Sequence, residues 1–319
     1  MKKKYFSNIA VIRDDRLGDT ILTLPIVKKL KDDFPKSKLT MIISSISKNL
    51  IQMIDFVDDF IIADNTIKTI NKINSRNFDL ILNFSPLKGK TYKFFLRAKW
   101  KVNIVYSSRY KKKLDWYKYK LFFFNFFFDS NYLNKRNNSK HLTHHTIYMN
   151  KILNLEGISL SGQPKKIFLN LGNKLRFDYL IHLSNRWINS EYFDSDLISL
   201  IEKMSEKSNK ISFSTDLMIS NEMKKLINRI KTNFNFNLLV KPKFTRWINL
   251  IDQSKFIITP ECGCAHICGI LNKRAIVIYD KNNKPNFIKK EYQPYLAKKI
   301  IQINSGVGKK LNREILSYI

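Results

Sequence analysis

No stretch of this sequence reaches the roughly 18 to 20 apolar residues that a membrane-spanning helix requires. The longest candidate, residues 121–128 (LFFFNFFF), is less than half that length. Cysteine is scarce too. The three present, Cys262, Cys264 and Cys268, fall within one short segment. That spacing excludes a disulfide framework and points to a reducing cytoplasm. There are no internal repeats and no low-complexity tails. The N-terminus is basic and then apolar, yet it lacks a small-residue cleavage site and runs into Arg13-Asp14-Asp15-Arg16, so it reads as a first strand and not as a leader.

Acidic residues are also few, 26 against 57 Lys and Arg, for a net charge of +31. Nucleic acid, an anionic membrane surface or a polyanionic substrate would each suit such a charge. So would AT-rich coding, because the chain is rich in Lys, Ile, Asn, Phe and Tyr together and poor in Gly and Ala. Charge alone therefore names no partner.

The hydrophobic fraction of 44% is enough for packed cores, and 319 residues suit two domains of about 150 residues each. Apolar runs at 9–12, 39–44, 59–63, 78–84 and 102–106 alternate with helical segments, and the alternation restarts after residue 175. Continuous apolar strands separated by helices predict parallel sheets covered on both faces. The expected organisation is a Rossmann-like domain over 1–160, a linker over 161–174 and a second Rossmann-like domain over 175–319, with a ligand cleft at the carboxyl ends of both sheets. Residues 107–140 break the rhythm. Their basic cluster, Lys111, Lys112 and Lys113 included, followed by aromatics, suits a membrane-surface patch, an RNA-binding face, or a helix packing its Phe residues on the first domain.

Two segments carry chemistry. At Arg13-x-Asp15-x-Leu17-Gly18-Asp19, Gly18 permits a tight strand-to-helix turn, and Asp19 is placed as a catalytic carboxylate or as a first-turn helix residue. At Thr259-Pro-Glu261-Cys262-Gly263-Cys264-Ala-His266, a strand, a turn and a helix start aim backbone N–H groups at one place, which suits a phosphate. A zinc site built from Cys262, Cys264, His266 and Cys268 is disfavoured, since His266 would point away from the helix face that Cys264 and Cys268 share.

In this order along nearly the whole chain, these two motifs, a His-initiated helix over 141–155 ending at Gly157, and His182-Leu-Ser184-Asn185-Arg186-Trp187 resemble the bacterial heptosyltransferases, glycosyltransferase family 9. The resemblance implies a GT-B fold, two Rossmann-like domains facing across a cleft. It also implies inverting, metal-independent transfer of a heptose from ADP-heptose to a phosphorylated, lipid-linked saccharide of the lipopolysaccharide inner core. Asp19 is then the base. Ser184, Asn185, Arg186, Glu261, Cys262, Gly263, Cys264 and His266 hold the donor, and Arg13, Gly18, Lys111, Lys112 and Lys113 hold the acceptor. No cofactor beyond the sugar nucleotide and no metal is expected. The partners are the nucleotide sugar, the acceptor and an anionic membrane surface, without nucleic acid, in a cytoplasmic protein peripheral on the inner membrane. The sequence departs from the family at Glu261, where Asp is usual, and at Arg186, where Lys is usual. It also departs at Ser214-Thr-Asp216, where glycines are frequent, and after Tyr279, where a Gly-Pro-Thr turn is missing. These departures keep open another nucleotide-sugar donor, or a non-enzymatic RNA- or membrane-binding protein on a degenerate GT-B scaffold.

Overall fold

The computed structural model describes residues 5–85, 90–104, 125–127, 143–155, 157–158, 160–187, 191–234, 236–282 and 285–319. The chain divides into two compact units, Met1–Ile167 with Lys290–Tyr292, and Phe168–Lys289 with Gln293–Ile319. The predicted linker is shared between them. Ser161 accepts from Lys29 and donates to Asp33 on the first unit, while Leu169 N–H donates to the Ile270 carbonyl of the second (2.9 Å).

The first unit contains a parallel sheet of six strands: β1 (Asn8–Arg13), β2 (Lys38–Ile43), β3 (Asp59–Ile62), β4 (Leu80–Asn83), β5 (Trp100–Ile104) and β6 (Asn125–Phe127), in the order β3-β2-β1-β4-β5-β6. Its described helices are α1 (Leu17–Asp33), α2 (Lys48–Ile51), α3 (Ile67–Asn74) and α4 (His145–Leu155). The second unit holds β7 (Phe177–Leu183), β8 (Ile211–Thr215), β9 (Asn237–Leu239), β10 (Ser254–Pro260), β11 (Arg274–Tyr279) and β12 (Ile300–Asn304), in the order β12-β11-β10-β7-β8-β9. The remaining described helices are α5 (Asp194–Lys207), α6 (Asn221–Asn233), α7 (Phe244–Asp252), α8 (Gly263–Ile270), α9 (Pro285–Tyr292), whose residues 290–292 count with the first unit, and α10 (Gly308–Leu316).

Both sheets follow the same winding rule. The first strand of each lies between its second and its fourth, so the strand order reverses between β1 and β4 and again between β7 and β10. At such a reversal the connections leave toward opposite faces, and a crevice opens beyond the carboxyl ends of the strands. The central strands suit this burial. Ile9, Ala10, Val11 and Ile12 of β1, and Phe213, Ile257, Ile258, Ile276 and Val277 in the second sheet, are buried regardless of which face they point to. A strand covered on both sides has no polar face to present to water.

Residues 125–127, within the stretch for which a helix packing its Phe residues on the first domain was one of three readings, form the edge strand β6, parallel to β5 with Val102 opposite Asn125. Beyond Tyr279, where the Gly-Pro-Thr turn is missing, α9 begins at Pro285. Proline suits the first position of a helix because no intrahelical partner is needed for its missing N–H.

The C-terminal helix α10 packs tightly on α5. A methyl group at Gly308 would lie 1.9 Å from Asp196 Cγ. Asp196 cannot swing away without cost, because its carboxylate caps α5 by accepting from Phe193 N–H (2.9 Å). Gly308→Ala is expected to destabilise the protein by about 1–3 kcal/mol, read as a lower urea midpoint at unchanged m-value.

Candidate active site

In the second unit the reversal between β7 and β10 gathers most of the donor-site residues predicted from sequence. β10 ends at Pro260, Glu261 N–H donates to the Ile278 carbonyl (2.9 Å), and Cys262 stands as the extended residue before α8. The opening turn of α8 therefore presents N–H groups and the positive end of the helix dipole from Gly263 and Cys264. Beyond the end of β7, the Arg186 guanidinium grips Glu261 through both its backbone carbonyl and its carboxylate. Arg186 is half exposed, so a face of the guanidinium remains open to solvent and to a ligand. The Glu261 carboxylate is thus already committed to an ion pair.

Ser184 and Asn185 shape the loop. Ser184 is buried, and its carbonyl accepts from Trp187 N–H (3.0 Å). Asn185 donates to the Met218 carbonyl (3.3 Å) and accepts from Ser220 N–H (2.8 Å), tying this loop to the start of α6. His266 lies on α8 and is 5% exposed, among buried neighbours. Cys264 and Cys268 are buried too, and burial pushes the Cys264 thiol well up.

Cys262 belongs to a different group. The ligand atoms of Cys262, His182 and Asp216 all lie within 4.8 Å of one another. His182 was given no role by sequence reasoning. Strand pairing sets it opposite Ser214, and its Nδ1 lies 2.9 Å from Ser214 Oγ. Its Nε2 lies 3.1 Å from Asp216 Oδ1. Burial would depress the imidazole, but Cys262 and Asp216 beside it win and push it up to about 9. Burial likewise opposes ionisation of Asp216, yet His182, Ser184 and Arg186 hold its carboxyl below the ordinary value.

In the first unit the reversal between β1 and β4 gathers Arg13, Asp14, Asp15, Asp19 and Ser85. Gly18 is the second residue of α1 and Asp19 the third, so Asp19 is a first-turn carboxylate favoured by the helix dipole. Arg13 was expected to contact substrate. Its side chain is fully buried, with Nη2 2.6 Å from Asp19 Oδ1, Nε 3.0 Å from Asp15 Oδ1, and Nη1 donating to the Phe84 carbonyl. These bonds make it a holder of Asp19. Lys111, Lys112 and Lys113 lie outside the described residues.

Sequence reasoning missed the network behind this crevice. Asp14, buried, accepts from Tyr92 Oη (2.8 Å), Lys93 Nζ (2.8 Å) and Ser85 Oγ (2.7 Å). Lys93 is fully buried. Burial works against an ionised Asp14, but the Lys93 charge and these hydrogen bonds outweigh it and hold the carboxyl below its ordinary value. Nothing in the spacing of these residues announces the network. Asp14 and Lys93 meet only because β1 and β4 pair.

No family model matches the chain. A curated Haemophilus influenzae protein whose name assigns it provisionally to the glycosyltransferases is 31% identical over 116 residues, covering 32% of this chain and 33% of that relative. The matched region thus spans about a third of the relative's length. Among solved structures, the E. coli heptosyltransferase WaaC with ADP superposes with a TM-score of 0.71 at 12% identity, covering 98% of this chain and all of that one. The E. coli ADP-heptose lipopolysaccharide heptosyltransferase II superposes at 0.69 with 11% identity, covering 97% and 98%. The chain has the GT-B fold of the heptosyltransferases.

Proposed function

We propose that the protein is a glycosyltransferase that moves a heptose, or a related sugar, from ADP-heptose to a lipopolysaccharide inner-core acceptor, inverting the anomeric carbon without a metal. One observation carries this reading. Each sheet reversal holds charged groups suited to one part of this reaction: an Arg186–Glu261 pair beside the start of α8 in the second unit, and a carboxylate, Asp19, held by a buried arginine in the first. The heptosyltransferase fold and a neighbour solved with ADP support it.

In this mechanism the donor diphosphate lies at the first turn of α8, where N–H groups and the dipole favour negative charge. The Arg186 guanidinium adds a mobile positive charge as the bond from the anomeric carbon to phosphate breaks and charge builds on the leaving group. Asp19 takes the proton of the acceptor hydroxyl while that oxygen bonds to the anomeric carbon from the opposite face. Arg13 occupies Oδ1 of Asp19, which leaves Oδ2 for the proton. The acceptor's phosphates and the membrane surface would draw on the basic residues of the chain, Lys111, Lys112 and Lys113 among them.

The test is a thermal-shift panel of nucleotide sugars. A ligand specific to the folded state stabilises it by about 2.7 kcal/mol at a hundred times its Kd. ADP-heptose is expected to raise the melting temperature, and Arg186→Ala to weaken nucleoside-diphosphate binding by about tenfold or more, the worth of one hydrogen bond to a charged group. A shift confined to another nucleotide sugar would keep the fold and the reaction but change the donor, which the Arg186–Glu261 pair leaves room for. No shift with any sugar nucleotide, together with salt-sensitive RNA binding, would replace the enzyme reading with that of a polyanion binder.

A further inference from the structure

We infer that His182, Cys262 and Asp216 form a binding site for a thiophilic divalent cation such as Zn²⁺. The three side chains come from β7, from the residue after β8 and from the residue before α8, so parts of the chain distant in sequence converge on one point. They offer one imidazole nitrogen, one sulfur and one carboxylate oxygen, a donor set suited to a borderline-soft ion. With Cys262 as thiolate, Asp216 as carboxylate and His182 neutral, the set carries two negative charges, matching a divalent cation.

The site also has its outer layer. A metal-binding histidine is usually aimed by a hydrogen bond at its other nitrogen. Here Ser214 Oγ, buried, stands 2.9 Å from Nδ1, which turns Nε2 toward Asp216. Thr259 Oγ1 lies 3.4 Å from the Cys262 sulfur. Trp187 Nε1 donates to the His182 carbonyl (2.6 Å) and Trp247 packs 5.5 Å from the imidazole, so the ring is held. Ligand atoms around a tetrahedral ion with bonds of about 2.0–2.3 Å stand closer together than the 4.8 Å limit observed. The remaining closure falls to Asp216 and Cys262, the two less buried members, whose side chains can rotate. Three protein ligands leave a fourth position for water.

Binding exchanges protons for the ion. The Cys262 thiol and His182 Nε2 each release a proton to solvent as sulfur and nitrogen bond the metal, and the Asp216–His182 hydrogen bond is replaced by two metal–ligand bonds. Arg186, which also faces Asp216, keeps its grip on Glu261. The inference does not rest on the sugar-transfer reading, because the ion is read by itself, without any sugar nucleotide.

The experiment titrates chelator-treated full-length protein with Co²⁺ and records its absorption. A thiolate-to-cobalt charge-transfer band and tetrahedral ligand-field bands, saturating at one equivalent and bleached by Zn²⁺, are expected. Cys262→Ser, at a partly exposed position where serine is a good helix cap, should remove the charge-transfer band without lowering the melting temperature. Ser214→Ala should weaken Co²⁺ binding by about 10–100-fold while leaving the band shape intact. Cys264→Ser should keep the band. Absence of the band in the wild-type protein, or its survival in Cys262→Ser, overturns the site.

Discussion

Asp19→Asn is expected to lower the rate of sugar transfer by about 10²–10⁴-fold, the usual contribution of a positioned general base, and to leave nucleoside-diphosphate binding unchanged. The substitution keeps the shape of the side chain and removes its ability to take a proton. Its amide oxygen can still accept from Arg13, whose Nη2 lies 2.6 Å from Asp19 Oδ1, so the start of α1 should keep its geometry. The residues proposed to hold the donor all belong to the second unit. Initial rates at saturating donor, set beside nucleotide binding by calorimetry, separate the two effects: kcat should collapse while the Kd for the nucleotide holds. Transfer at the wild-type rate would remove Asp19 from the chemistry. The search would then pass to Asp15, the other acidic partner of Arg13.

Much of the framework behind that prediction was legible in the residues, and the reasons are specific. The strand at 9–12 and the helix after Gly18 were readable because a continuous apolar run meets a glycine turn and then apolar residues at helical spacing. The Thr259 to His266 segment was readable because Pro260 and Gly263 mark the strand end and the helix start. The stretch at 121–128 stayed open between several readings because a short apolar run carries no period of its own. Helix and strand differ there only in what lies alongside, and β5 supplies the edge on which β6 pairs. The role of Arg13 was not readable for a related reason. A charged residue at the end of a strand looks like a substrate contact until the depth of the crevice is known, and here it lies beneath Asp15 and Asp19. The groupings of His182 with Asp216 and Cys262, and of Asp14 with Lys93, depend on parallel pairing between distant strands, which local pattern does not encode.

The Asp14 group leads to the largest expected effect on stability. Lys93 is fully buried, and burial pulls its ammonium toward neutrality, against the stabilising charge of Asp14. Removing one member of a buried ion pair strands the other without its counter-charge, at a cost of about 3–5 kcal/mol. Asp14→Ala should therefore lower the stability of the first unit by about that amount and its melting temperature by about 6–20 °C, read by calorimetry. Tyr92 and Ser85 would lose the same acceptor, which places the effect toward the upper end. Replacing both partners, Asp14→Leu with Lys93→Met, removes both buried charges and should recover most of the loss. The pH dependence gives an independent reading. The folded carboxyl of Asp14 lies below its ordinary 3.8, so the pair contributes fully above that pH and loses its contribution as pH falls through the folded value. The wild-type protein should thus lose stability steeply below about pH 4, and Asp14→Asn should lack that part of the acid limb. If Asp14→Ala melts with the wild type, the Lys93 ammonium is not paid for by this carboxylate, and the β1–β4 crevice is held by its apolar strands alone.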